Sequence, residues 1–137
     1  MQFPDGRILI FAKAPEPGYA KTRLIPVLGA RGAADLYRQL LESTVEMAAR
    51  KQLAPLECCC TPNLRHPVFG ALSTRHAMTL TLQTGADLGA RMQNAAHCAL
   101  ARCRYVLLIG GDCPALEPRH LQRALDWLQQ GEDAVLA

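Results

Sequence analysis

Apolar positions along the chain follow two alternating rhythms. Near-continuous apolar runs at Ile8–Ala12, Leu56–Cys60 and Tyr105–Ile109 read as strands covered on both faces. Met78, Leu80 and Leu82 alternate with Thr79, Thr81 and Gln83, which predicts a half-buried strand. Ala134–Ala137 reads as a fifth strand. Between the runs the period lengthens to that of a helix. Ala33, Leu36, Tyr37, Leu40, Leu41, Thr44, Val45 and Ala48 form one stripe over about four turns, with Asp35, Arg38, Glu42, Glu46 and Arg50 off it. A second stripe, Leu88, Met92, Ala95, Ala96, Ala99 and Leu100, follows the turn Gly85-Ala86-Asp87. A third, Leu121, Ala124, Leu125 and Leu128, starts at Pro118 and ends at Gly131. Thr22–Leu28 reads as a short helical turn with Thr22 placed to cap it, broken by Gly29 and Gly32. Residues 63–76 are the least periodic, with room for a short helix around Pro67–Ser73.

Strands alternating with helices at this spacing predict an α/β fold: three layers, α/β/α, with a mostly parallel sheet of about five strands and right-handed crossovers, Rossmann-like. One domain over residues 1–137 is the natural reading, and a chain of this length buries about two-thirds of its unfolded surface without disulfides. The last expected strand has no closing helix after it. That points to a truncated version of a longer fold, or to an uncovered sheet edge through which a homo-oligomer could form.

Composition removes several classes. Half the residues are hydrophobic and a fifth charged, which excludes disorder and coiled coil. A net charge of +3 without a Lys/Arg block argues against nucleic acid and tolerates an anionic small molecule. No segment approaches the ~20 apolar residues of a membrane span. The amino terminus lacks a basic region ahead of its short apolar run, so it is not a signal peptide, and a cytoplasmic protein with reduced thiols is expected. Cys58, Cys59, Cys60, Cys98, Cys103 and Cys113 contain no CxxC pair. The three adjacent ones must alternate faces of a strand, as buried small hydrophobes do.

Chemistry concentrates in three places. The first is the stretch from Arg7 to Leu24, an apolar strand followed by a loop with Pro15, Pro17 and Gly18 that delivers Lys21 and Arg23 to a helical turn. Two of the three lysines in the chain, Lys13 and Lys21, fall here. A diphosphate needs converging cations and close backbone: Gly18 permits approach, Lys21 is a mobile point charge and Arg23 a planar fork. One such charge pair at 4 Å and an effective dielectric of 20 is worth about 4 kcal/mol before desolvation. The stretch fails the Walker A pattern, because Ala20 precedes Lys21-Thr22, and the strand is not followed by GxGxxG. The second place is Gly110-Gly111-Asp112-Cys113-Pro114 at the exit of an apolar strand. There Asp112 could hold Mg²⁺ or Mn²⁺ against a diphosphate, or only steady a turn. The third is Gly85-Ala86-Asp87-Leu88-Gly89-Ala90-Arg91. Asp87 suits a helix N-cap, Gly89 costs about 1 kcal/mol relative to Ala inside a helix and so hints at a close approach, and Arg91 faces the same edge. His66, His76, His97 and His120 show no ligand spacing and are expected to be non-catalytic.

Together FAKAPEPGYAKTRL, GADLGARM and LLIGGDCPAL resemble the signature segments of the nucleotide-diphospho-sugar transferase-like proteins of the GT-A superfamily, in particular the group called selenodomain-associated transferase 1 or arsenosugar-biosynthesis glycosyltransferase-like. The resemblance implies a GT-A-like fold that takes a nucleotide-diphospho-sugar donor, with Mg²⁺ or Mn²⁺ as cofactor, and transfers the sugar. It implies that Lys13, Gly18, Lys21 and Arg23 form the nucleotide-phosphate loop, that Gly85, Asp87, Gly89 and Arg91 border the nucleotide or sugar, and that Asp112 takes the place of the metal-binding aspartate. No catalytic residue, sugar, base or acceptor follows from it. Two departures stand out. Gly111 lies where the family commonly has Ser or Thr. The family also continues into a Gly-Pro and an Asp-Gly-Gly-Tyr segment on the acceptor side, which this sequence lacks, so the chain is expected to hold the nucleotide half of a site and to be inactive alone. A nucleotidyltransferase of the same fold and a non-catalytic nucleotide-binding or interaction domain remain open alternatives.

Overall fold

The computed structural model describes residues 1–131. Four parallel strands form the sheet: β1 (Gly6–Lys13), β2 (Leu56–Thr61), β3 (Thr79–Leu82) and β4 (Tyr105–Gly110), in the order β3-β2-β1-β4. The expected alternation holds, with α1 (Ile25–Ala49) between β1 and β2, α2 (Pro67–His76) before β3, α3 (Leu88–Leu100) before β4 and α4 (Pro118–Gln129) after it. The sheet thus has four strands among the described residues, not about five; the strand expected at Ala134–Ala137 lies outside them.

The apolar runs of β1 and β2 sit where burial is deepest, whereas β4, expected to be covered on both faces, is half-buried except at Ile109 because it is an edge of the sheet among the described residues. Ile8 pairs with Leu56 and Leu107 on either side, and Ile10 with Cys58 and Ile109. Ile8, Leu9 and Ile10 are fully buried. Alternation along the strands separates two layers. Ile8, Ile10, Ala12, Cys58 and Cys60 face the main core, which α1, α2 and α4 close with Tyr37, Leu41, Val45, Phe69, Leu72, Leu121 and Leu125. Leu9 and Cys59 face the opposite side, where α3 covers them with Ala99 and half-buried Ala95. This is the three-layer arrangement with unequal outer layers. The apolar stripe of α3 is correspondingly only partly used: Leu88, Met92 and Leu100 are exposed. All six cysteines are free.

Two local expectations need correction. Thr22 caps nothing: a 3₁₀ turn over Thr22–Leu24 is preceded by Lys21 in the left-handed region (φ 52°, ψ 44°) and runs on into α1. Gly29, at φ 74°, kinks α1, but Gly32 lies inside the continuing helix and breaks nothing. In the irregular stretch, α2 extends from Pro67 to His76, with His66 Nδ1 accepting the Val68 N–H at its start. His120 plays a similar part in α4, where its Nδ1 accepts the Glu117 N–H. Two of the four histidines are therefore engaged as helix caps.

A polar pair crosses the α3 side of the sheet. Arg7 Nε donates to Glu57 Oε1 at 2.8 Å, and the Thr81 hydroxyl donates to Glu57 Oε2 at 2.9 Å. Glu57 is 8% exposed in the middle of an apolar strand, and this network satisfies its charge.

The strand order fixes where a ligand can enter. The chain steps outward from β1 to β2 and β3, then returns to the other side of β1 for β4. The order reverses between β1 and β4, and the crevice outside the carboxyl ends at such a reversal is the usual ligand position in open α/β sheets.

Candidate functional site

A cleft of about 720 Å³ opens at that reversal. Its floor is the end of β1 (Phe11, Ala12, Lys13) and of β4 (Gly110). Its walls are Lys21, Thr22, Arg23 and Leu24 on one side and Thr61, Gln83, Leu88 and Arg91 on the other, with Tyr37 behind and Gly111-Asp112 in front. Four cations, Lys13, Lys21, Arg23 and Arg91, meet there with one carboxylate, Asp112.

The loop between β1 and the 3₁₀ turn is organised by its own backbone. The Ala14 N–H donates to Thr61 O, Glu16 N–H to Ala14 O, and both Tyr19 N–H and Ala20 N–H to Glu16 O. Pro15 and Pro17 have no N–H to offer. Four of the loop's main-chain donors are thus committed, and the side chains of Lys13, Lys21 and Arg23 bring the positive charge that an anion in the cleft would meet. Gly18, at φ 83°, sits at the exposed loop tip rather than in the cleft. Lys13 Nζ lies 5.6 Å from the Tyr19 ring centroid, while its main-chain N–H donates to Tyr37 Oη at 2.8 Å. Burial pushes the Tyr37 hydroxyl well above its ordinary range, so it stays neutral.

Lys21 owes its position to its backbone. The left-handed conformation, costing roughly 1 kcal/mol for a residue with Cβ, turns its side chain across the strand reversal onto Asp112, where Nζ and Oδ2 form an ion pair. Asp112 in turn depends on Gly111. A Cβ at position 111 would lie 2.9 Å from Phe11 O and 3.0 Å from both Leu41 Cδ1 and Tyr37 Oη. The segment after β4 therefore folds tightly over the end of β1, and only glycine fits. This gives a physical reason for glycine where the resemblance leads one to expect Ser or Thr.

On the far wall, Asp87 caps α3, its Oδ1 accepting the Ala90 N–H at 2.8 Å. Arg91, one turn on, donates from Nε to Gly85 O at 3.2 Å and from Nη1 to Thr61 Oγ1 at 3.4 Å. The close approach to another backbone is at Gly85 rather than at Gly89. Gly85 has φ 146°, and a Cβ there would come within 2.7 Å of Arg91 N, whereas one on Gly89 would meet only Asp87 Oδ1, at 3.5 Å. Of the residues singled out in the sequence, Lys13, Lys21, Arg23, Arg91 and Asp112 line the cleft. Gly18 and Gly85 shape turns, Asp87 caps α3 and Gly89 lies in its first turn, and none of the four lines the cleft. Tyr37, Thr61 and Gln83 line it as well and were not foreseen. Tyr37 sits on the apolar stripe of α1 and reads as core; only packing turns its hydroxyl toward the Lys13 amide.

Among the described residues no group of three His, Cys, Asp or Glu side chains gathers to hold a metal. The chain supplies one carboxylate, Asp112. That donor set fits a hard cation such as Mg²⁺, which takes one or two carboxylates and completes its shell with phosphate oxygens and water. It does not fit a preformed protein cage.

The model for the family described as "Uncharacterized protein conserved in bacteria (DUF2064)" matches residues 44–137. The chain belongs to the DUF2064 family. The DUF2064 chain also superposes with a TM-score of 0.80 on a crystal structure from Desulfovibrio desulfuricans G20, a protein provisionally named as a nucleotide-diphospho-sugar transferase. The two are 34% identical over 93% of this chain and 55% of that one. A cytidylyltransferase from Leptospira borgpetersenii serovar Hardjo-bovis (strain JB197) superposes with a TM-score of 0.54 at 12% identity, over 95% of this chain and 51% of that one, and shows the shared fold alone. The chain thus spans about half the length of these two solved structures. Among curated proteins none matches it. The fold is that of a GT-A-like, Rossmann-like domain. No helix of the described residues is long and apolar enough to cross a membrane.

Proposed function

We propose that the cleft binds a nucleotide-diphospho-sugar and that the domain is the donor-binding part of a glycosyltransferase-like protein. The observation that carries this reading is that Lys13, Lys21, Arg23 and Arg91 line one cleft at the β1/β4 reversal together with a single carboxylate, Asp112, which Lys21 pairs. Four cations against one carboxylate call for a polyanion, and a diphosphate is short enough to engage several at once. The name of the Desulfovibrio protein supports the same substrate class.

In this reading Lys21 exchanges partners. With the cleft empty it neutralises Asp112. With a diphosphate bound, its ammonium would move onto phosphate oxygens, and Asp112 is the carboxylate that would hold Mg²⁺ or Mn²⁺. Such a cation would stabilise the charge that develops on the departing nucleoside diphosphate. Arg23 supplies a planar fork for the same oxygens, and Arg91, braced by Gly85 O and Thr61, holds the far side. The sugar acceptor and its binding groups lie beyond what these residues provide.

Calorimetric titration with UDP, GDP, CDP and TDP, each with and without Mn²⁺, tests the reading. Binding of at least one, strengthened by Mn²⁺, is expected; no binding by any of them overturns it. A nucleotidyltransferase, which would release pyrophosphate from an NTP and a sugar phosphate, is the second reading. Pro15 and Pro17, which bring no N–H to the loop, count against it, because a Gly-rich backbone cradle is the usual seat of a triphosphate.

A further inference from the structure

At the end of β3 the side chain of Gln83 is held by two main-chain carbonyls. Its Nε2 donates to Cys59 O at 2.8 Å and to Ala12 O at 3.2 Å. A carbonyl oxygen only accepts, so the amide nitrogen must face these two groups and the amide oxygen must face away from them. Both donor hydrogens are thereby used. What Gln83 has left for the cleft it lines is an acceptor fixed in place by three neighbouring strands.

We propose that Gln83 Oε1 reads the nucleobase of the bound nucleotide, accepting an N–H from its Watson–Crick edge. The proposal rests on the nucleotide-diphospho-sugar reading above and adds to it the base-reading group. Three observations place the base here. The cations Lys21 and Arg23 lie at the β1/β4 side with Asp112, so the phosphates belong there. Gln83 leaves β3, three strand positions from β4 or roughly 14 Å at the usual strand spacing, a span that an extended nucleoside diphosphate covers. Leu88, beside Gln83 on the cleft wall, is an apolar side chain left 63% exposed, and it offers a surface for the face of a base. A pinned acceptor favours bases with a ring N–H on that edge (uracil, thymine and guanine). It leaves cytosine and adenine, whose ring nitrogen there is itself an acceptor, with only their exocyclic amino groups.

The test compares nucleoside diphosphates with inorganic pyrophosphate, which keeps the phosphates and lacks the base, by calorimetry on the full chain. In Gln83→Leu the affinity for the tightest-binding nucleoside diphosphate should fall about 10- to 100-fold, because a buried donor on the base loses its partner, while the affinity for pyrophosphate stays unchanged. A second measurement needs no variant. The same nucleoside diphosphate methylated at its Watson–Crick-edge ring nitrogen should lose a similar factor against the wild-type chain. Equal losses for pyrophosphate and nucleoside diphosphate in the variant would show that Gln83 only ties strands together, and this would overturn the proposal. Wild-type binding of the methylated nucleotide at parental affinity would overturn it too. If the wild-type chain binds neither nucleoside diphosphates nor pyrophosphate, the donor-binding reading itself falls, and the proposal with it.

Discussion

Lys21 and Asp112 come from opposite sides of the β1/β4 reversal and meet as an ion pair over the floor of the cleft. Their side chains are 28% and 34% exposed, so the pair contributes little to stability, about 1 kcal/mol or less. Asp112→Asn should therefore leave the thermal midpoint within a few degrees of wild type. It should also abolish the strengthening of nucleoside diphosphate binding by Mn²⁺, measured by calorimetry. A wild-type Mn²⁺ effect in Asp112→Asn would remove Asp112 from the metal role.

Tyr37 links the back of the cleft to its floor. Replacing it with Phe leaves the Lys13 N–H without its 2.8 Å acceptor in a partly buried setting. A loss of about 1–3 kcal/mol in urea unfolding is expected, with weaker nucleoside diphosphate binding because the end of β1 is no longer fixed. Unchanged unfolding would show that water replaces the hydroxyl.

Gly111→Ser restores the residue type that the resemblance leads one to expect. The new Cβ would sit 2.9 Å from a backbone oxygen, Phe11 O, so the segment carrying Asp112 must shift. The expected cost is about 1–3 kcal/mol of stability, together with reduced nucleotide affinity. Retained stability in the same unfolding experiment would mean that the loop moves freely.

The pair Arg7–Glu57 is more deeply buried than Lys21–Asp112, with side chains 15% and 10% exposed. Removing one partner, as in Arg7→Met, should cost about 3–5 kcal/mol because an unpaired carboxylate remains inside. Arg7→Met with Glu57→Leu should recover much of that loss, and a double-mutant cycle measures how much. Equal destabilisation in the single and double variants would contradict this account.

Alkaline pH should unfold the protein through its buried acids. Burial raises the Cys59 thiol from its ordinary 9.0 to about 12, and raises the Tyr37 hydroxyl as well. Cys58 is raised too, chiefly by its hydrogen bond with Cys60 and then by burial. A folded-state value above the unfolded one means that the folded chain holds its proton more tightly. The stabilisation is complete below about pH 9 and is lost as pH rises toward 12. Urea midpoints from pH 7 to 11 should be level up to about pH 8.5 and then fall, and a flat profile would count against burial of these groups.

How much of this was legible in the sequence differs from element to element. The strands β1 and β2 are readable because a strand buried on both faces must be apolar at nearly every position, and Ile8–Ala12 can be little else; β4 shows the same apolar run but is half-buried at the edge of the described sheet. The body of α1 is readable because Tyr37, Leu41, Val45 and Ala48 repeat at helical spacing. Asp87 as a cap is readable for a similar local reason. Glu57 is not: inside an apolar run its burial becomes tolerable only because Arg7 and Thr81, 50 and 24 positions away, reach it. The same holds for Gln83, whose role depends on carbonyls of two other strands, and for Gly85, where the close contact is with the backbone of Arg91.

What the sequence determined by itself was therefore the α/β alternation, the parallel core and the clustering of Lys13, Lys21, Arg23, Arg91 and Asp112 near strand ends, because periodicity and turn residues act over a few positions. What only the tertiary structure decided was the order β3-β2-β1-β4. That order sets the exits of β1 and β4 side by side. Pairing between strands distant in sequence depends on how whole faces pack, and no local pattern encodes it. The ion pair of Lys21 with Asp112, the anchoring of Tyr37 on Lys13 and the fixed acceptor of Gln83 all follow from that pairing.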